Sequence, residues 1–172
     1  MKRVLAILLI LSLVTVYLNA EENKNGAVGL VLTNSIAFAG IGGELFLGNL
    51  GIGATFTFLP IGGGGDMVLF YEPGAYARFY FGNPASAMYL MGGMSYFTAA
   101  GSDSGDSGLQ AFDGGILNIN GGFGYNSMFG DNNATRFYIE VGPRYTTLVV
   151  DSDEEIYAGF FLHFALGFGA AF

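Results

Sequence analysis

Residues 156–172 read IYAGFFLHFALGFGAAF. Ile156, Ala158, Phe160, Leu162, Phe164, Leu166, Phe168, Ala170 and Phe172 fall on alternate positions, and all but the two alanines are large and apolar. Between them stand Tyr157, Gly159, Phe161, His163, Ala165, Gly167, Gly169 and Ala171, smaller on average and including the only histidine of the chain. A period of two marks a strand, because successive side chains point to opposite faces. Ordinary strands run about 5–6 residues. This one is far longer, which suits a wall strand crossing an apolar layer rather than a strand inside a globular core.

The other end of the chain supports that reading. Lys2 and Arg3 precede an apolar segment over 4–18, interrupted only by Ser12, Thr15 and Tyr17, and Ala20 offers a small residue for cleavage. This is the layout of an export signal. A retained transmembrane helix is the competing reading, but such a segment rises about 22 Å as a helix, short of a hydrocarbon core of about 30 Å. We therefore expect residues 1–20 to be a signal peptide and residues 21–172 to be one outer-membrane β-barrel domain. The chain has no cysteine, so lipoprotein anchoring, disulfides and thiol chemistry are excluded.

Removing the signal leaves Lys24, Arg78, Arg136 and Arg144 against all fourteen acidic residues. That balance disfavours nucleic acid, which needs a cationic surface. A content of 52% hydrophobic and 12% charged residues is unusual for a soluble exported protein, yet beyond the signal no apolar run is long enough for a membrane helix. Apolar residues spread at period two suit a barrel wall facing lipid.

Turn signals divide the chain into eight spans: 26–33, 36–47, 50–59, 67–81, 87–99, 114–125, 134–150 and 156–172. The breaks are Asn34-Ser35, Gly48-Asn49, Pro60 with the glycines 62–65, Gly82-Asn83-Pro84, the polar GSDSGDSG stretch, GDNN at 130–133 and the acidic 151–155 segment. The expected fold is all-β: a single antiparallel up-and-down transmembrane barrel, most simply of eight strands. With both ends periplasmic, the connections at 34–35, 60–66, 101–113 and 151–155 face outward, and three of them gather polar or acidic residues.

The charges then assign the faces. In 67–81, Leu69, Tyr71, Ala75, Ala77, Phe79 and Phe81 share one side, while Glu72, Gly74, Tyr76, Arg78 and Tyr80 share the other. A charge facing lipid is costly, so the second set points inward. By the same logic Arg136, Tyr138, Glu140, Gly142 and Arg144 line the interior, as do Glu44, Asn118, Asn120 and His163. Arg136 is placed nearer an end. Pro73 and Pro143 lack a ladder donor, and a bulge at each is one way to hold them.

Glu44, Glu72, Arg78, Glu140, Arg144 and His163 therefore form a candidate polar network in the lumen. It reads as a hydrogen-bonded plug, as a charged constriction for ions or small solutes, or as a binding or catalytic cavity. A lone inward histidine is usually structural, and no nucleophile is assigned to His163. One histidine and no cysteine give no metal centre, although the acidic 151–155 segment has the hard oxygens of a weak Ca²⁺ or Mg²⁺ site. Glycines 62–65 lack the Lys-Ser/Thr of a phosphate loop. No cofactor is expected.

The export signal, the eight spans and the terminal HFALGFGAAF resemble small outer-membrane β-barrel proteins, of the OmpX kind and of the OmpA membrane domain. Phe164, Leu166, Phe168, Ala170 and Phe172 resemble the signal read by the barrel-assembly machinery. The resemblance implies residence in the bacterial outer membrane among its lipids, as a monomer, with an unidentified extracellular ligand as a further partner. The leading expectation is a structural or surface-interaction protein with a packed polar interior and no catalytic turnover. A narrow pore and a lipid-modifying enzyme are the alternatives. A soluble lipocalin-like barrel, apolar inside and polar outside, is the alternative at the level of fold.

Overall fold

Long alternating strands can bury their backbone polar groups without helices only if the sheet closes on itself, and this one does. A computed structural model describes residues 25–63, 66–102, 110–111, 114–149 and 158–172. The expected signal peptide, Gly64-Gly65, most of the 101–113 connection, the acidic 151–155 segment, Ile156 and Tyr157 lie outside the described residues. The strands are β1 (Gly26–Thr33), β2 (Ala39–Leu47), β3 (Leu50–Gly63), β4 (Asp66–Tyr80), β5 (Ser86–Ser102), the two-residue β6 (Gln110–Ala111), β7 (Gly115–Phe129), β8 (Thr135–Val149) and β9 (Ala158–Ala171).

Eight of them form an antiparallel ring in the order β4-β3-β2-β1-β9-β8-β7-β5, closed by the pairing of β4 with β5, while β6 lies against β5 alone. The seam between first and last strands runs from Ala27 opposite Ala171 to Thr33 opposite Ala165. Beyond it, the Phe172 amide donates to Gly26 O, and Phe172 O accepts from the Asn25 and Gly26 amides. Both described ends therefore lie at one rim, with the tight turn at Gly48-Asn49. Gly48 takes the positive φ of 64° that a two-residue hairpin requires.

Four boundaries differ from the sequence reading by three residues or more, one of them the end of β5 at Ser102 rather than Ala99. Strand β2 starts at Ala39, because the Thr33 amide bonds Phe38 O and leaves 34–38 as the connection. Strand β3 runs through Pro60 to Gly63, and β7 continues past Tyr125 to Phe129. The prolines explain why the ladder survives. Pro60 faces Leu69 but lies beyond Phe58, where pairing with β2 ends. Pro73 keeps its place opposite Phe56, and the β4–β5 ladder lapses between Tyr71 and Gly74. Pro143 stays opposite Leu162, while the β7–β8 ladder lapses between Asn120 and Phe123. Register is the same on both sides of each lapse, so no bulge forms. Each proline sits where one neighbour asks for no donor.

The two faces of the wall have opposite chemistry. Leu30, Ile52, Phe79, Leu90, Ile119, Phe123, Ile139 and Leu162 are exposed on the outside, with Phe160 reaching 79%. Glu44, Glu72, Arg78, Arg136, Glu140, Arg144 and His163 are buried inside. This is the inverse of a lipocalin-like barrel, and that alternative falls.

Inside, glycines make room for tyrosines on the adjoining strands. Tyr76 stands opposite Gly53, Tyr89 opposite Gly124 and Tyr138 opposite Gly167. A Cβ on Gly53, Gly124 or Gly167 would run into the ring of Tyr76, Tyr89 or Tyr138 across from it. Each ring therefore lies over a glycine, which shields the bare backbone and turns the phenol toward the lumen. Gly167→Ala should cost about 1–3 kcal/mol by overpacking, measured by urea unfolding in lipid vesicles. In a Tyr138→Ala background the same substitution should cost little; an undiminished penalty there would contradict the close approach.

Candidate functional site

The inward faces converge on Arg78, which is 1% exposed. Strand β4 brings it to the centre. Its Nη1 donates to Glu44 Oε2 from β2, and its Nη2 donates to Glu140 Oε2 from β8 at 2.7 Å. The guanidinium carbon lies 4.2, 4.9 and 4.1 Å from the ring centres of Tyr76, Tyr89 and Tyr138. One cation thus bridges two carboxylates across the barrel, within a collar of three aromatic faces.

Toward the rim that holds the chain ends, Arg136 extends the network. Its Nη2 donates to Glu44 Oε2 at 2.6 Å and to Tyr80 Oη at 3.0 Å; its Nε donates to Asn126 Oδ1 at 2.5 Å. Tyr80 in turn donates to Glu44 Oε1 at 2.7 Å. Glu44 is therefore held by two guanidiniums and a phenol, which offsets much of the cost of burying its charge.

Toward the other rim the arrangement changes. Tyr89 donates to Glu140 Oε2 at 3.0 Å, and His163 Nε2 meets Glu140 Oε1 at 3.0 Å. Arg144 Nη2 lies 2.8 Å from His163 Nδ1. Arginine can only donate, so Nδ1 accepts and the ring proton is assigned to Nε2, facing Glu140. Arg144 Nε donates to Asn120 Oδ1 at 3.0 Å. Arg78 and Arg136 each meet a carboxylate within 4 Å, whereas Arg144 has no such ion pair among the described residues.

Glu72 is held differently again. Its oxygens accept from Ser35 Oγ, Ser95 Oγ and Asn118 Nδ2, all neutral donors, and Thr146 Oγ1 donates to Asn118 Oδ1 at 2.8 Å. A cavity of about 40 Å³, bordered by Glu72, Ser95, Asn120, Glu140, Arg144 and His163, separates this carboxylate from the layer around Arg78. It has room for about two or three waters. Further out, a mouth of about 370 Å³ opens between Ile36, Phe97, Ile116, Asn118, Arg144 and Phe161.

All six residues proposed from sequence for the lumen are thus buried, but they form two groups. Glu44, Arg78, Glu140 and His163 share one connected network, to which Arg144 attaches through His163; Glu72 belongs to a separate cluster. Arg136, placed nearer an end by the sequence reading, is a full member. Asn126, which falls just beyond the 114–125 span read from sequence, is buried at its side and also donates to Pro84 O. Tyr80, which the alternation places on the inward face, is also a member, whereas Ser35, Ser95 and Tyr89 were not singled out. For Tyr89 the period-two alternation was an available signal, since it shares a face with the small Ala87 and Gly93. Of the terminal alternate set, Phe168 is exposed on the outer face, Phe164, Leu166, Ala170 and Phe172 are half-buried, and Phe172 closes on Gly26. No group of three His, Cys, Asp or Glu that could hold a metal is found among the described residues.

An eight-stranded closed up-and-down wall, apolar outside and filled by polar side chains inside, is the architecture of small OmpX-type barrel proteins. No family model and no curated protein matches the chain. Among solved structures, the crystal structure of Ail, the attachment invasion locus protein of Yersinia pestis, matches at 15% identity with a TM-score of 0.41, covering 86% of this chain and 95% of that one.

Proposed function

We propose that the protein is a small bacterial outer-membrane barrel with a structural or surface-interaction role, its lumen closed by charged side chains rather than open to solutes. The observation that carries this reading is the Arg78 bridge between Glu44 and Glu140, ringed by Tyr76, Tyr89 and Tyr138. Its groups reach across the barrel between β2, β4 and β8 and satisfy one another, so an ion passing this layer would have to disturb buried ion pairs. Membrane residence is supported by the exposed apolar outer face, far larger than the patches of a few hundred Å² that soluble monomers tolerate.

The reading includes no catalytic turnover. Both nitrogens of His163 are engaged, by Arg144 and Glu140, and its hydrogen bonds among the described residues include no hydroxyl to activate. It includes the outer-membrane lipids as surroundings and the assembly machinery as a transient partner that reads Phe164, Leu166, Phe168, Ala170 and Phe172. The surface ligand would meet the rim that carries the 34–38 connection.

Planar-bilayer recording tests the closed lumen. Barrels verified as folded by a gel shift between unheated and boiled samples should insert without discrete conductance steps. Reproducible openings whose ion selectivity changes with Glu140→Gln would instead establish the narrow pore.

A further inference from the structure

We infer that the mouth beside Arg144 is a binding site for an alkyl carboxylate, an anion of the fatty-acid class. Two independent observations meet there. The first is a buried cation that makes no ion pair among the described residues. Arg144 is buried, yet its contacts among the described residues are Asn120 Oδ1 and His163 Nδ1, both uncharged acceptors. These use two of its five N–H groups and fix the plane of the fork, leaving the remaining donors to receive a carboxylate. Glu72, a second buried charged group in this half of the described lumen, has its oxygens occupied by Ser35, Ser95 and Asn118; its charge acts on Arg144 across the inner cavity, but the two make no ion pair.

The second observation is apolar surface turned into the opening. Phe161 belongs by alternation to the inward face of β9, is 60% exposed and lines this mouth. Ile36, Phe97, Ile116 and Leu162 border the same space of about 370 Å³. An aromatic and aliphatic wall above a single oriented guanidinium is complementary to a ligand with one anionic end and a hydrocarbon tail. A quaternary ammonium is opposed by Arg144, and a small hydrophilic anion leaves the wall uncovered. This inference rests on the barrel standing in a membrane with this rim in water.

The test is equilibrium dialysis of sodium octanoate against the full protein in phosphatidylcholine nanodiscs, with empty nanodiscs subtracted. Saturable one-to-one binding is expected, with octyltrimethylammonium excluded and octanol bound far more weakly. Arg144→Gln should weaken octanoate about tenfold or more, as loss of a charge-assisted pair does. Phe161→Ala, a change at an exposed position that leaves the ion pairs intact, should weaken it several-fold. Glu72→Gln removes a negative charge facing the same inner cavity and should tighten it. Absence of saturable binding to the wild type, or equal binding by Arg144→Gln and the wild type, overturns the inference. A lost gel shift in the wild-type nanodiscs would count instead against the membrane barrel itself.

Discussion

Arg78→Ala is expected to remove about 3–5 kcal/mol of unfolding free energy, the range for breaking a buried ion pair from one side. The substitution deletes the group that bonds Glu44 and Glu140 together and leaves two buried carboxylates without their shared cation. Glu44 retains Arg136 and Tyr80, and Glu140 retains His163 and Tyr89, so collapse is not complete. Arg78→Lys keeps the charge, but a single ammonium cannot reproduce a fork that reaches two carboxylates, so an intermediate loss is expected. Urea titration in zwitterionic vesicles, followed by the gel shift, measures both. Combining Arg78→Met with Glu140→Gln should recover part of the stability, because one stranded carboxylate goes with the cation while Glu44 keeps its pair with Arg136. A loss below about 1 kcal/mol for Arg78→Ala would mean that water already enters the layer and screens it.

The second large effect lies on the outer wall. Val141→Arg should cost about 2–4 kcal/mol, the penalty of a cation near the bilayer midplane. Val141 lies midway along β8, between Phe123 of β7 and Phe164 of β9, and is exposed on the outer face. Val149→Arg, at the end of the same strand and also exposed, should cost no more than about 1 kcal/mol, since its charge reaches the interface. The difference between the two positions is the signature of lipid. Equal and small effects at both would indicate a wall bathed in water.

Most of the wall was legible because one physical constraint governs it. A side chain at every second position must satisfy hydrocarbon, so Ile139, Val141 and Phe137 declare one face and Arg136, Glu140 and Arg144 the other. The ends were less legible. Pro60 reads as a terminator, yet it needs only one missing donor to be tolerated, and the shortness of β2 supplies it. Asn126 falls just beyond the 114–125 span, but in the lumen its amide caps Arg136.

Partner choice was not legible at all. Alternation says that Glu44 and Glu72 both point inward, but it does not say which cation each meets. Strand tilt and side-chain reach bring Arg78 and Arg136 to Glu44, separated from it by 34 and 92 residues in sequence, and bring only neutral donors to Glu72. That Arg144 makes no ion pair among the described residues follows from the same three-dimensional sorting. The glycine–tyrosine pairs depend on register, which is set by turn lengths rather than by composition.

The most direct measurement returns to the stretch that decided the fold. The chain has no native cysteine, so single cysteines at each position from Leu162 to Phe168 can carry spin labels in lipid vesicles without background labelling. Leu162, Phe164, Leu166 and Phe168 should show high accessibility to oxygen dissolved in the bilayer, and His163, Ala165 and Gly167 should show low accessibility. Uniform accessibility along the stretch, or maxima at the histidine, alanine and glycine positions, would contradict a lipid-facing wall around a closed polar interior.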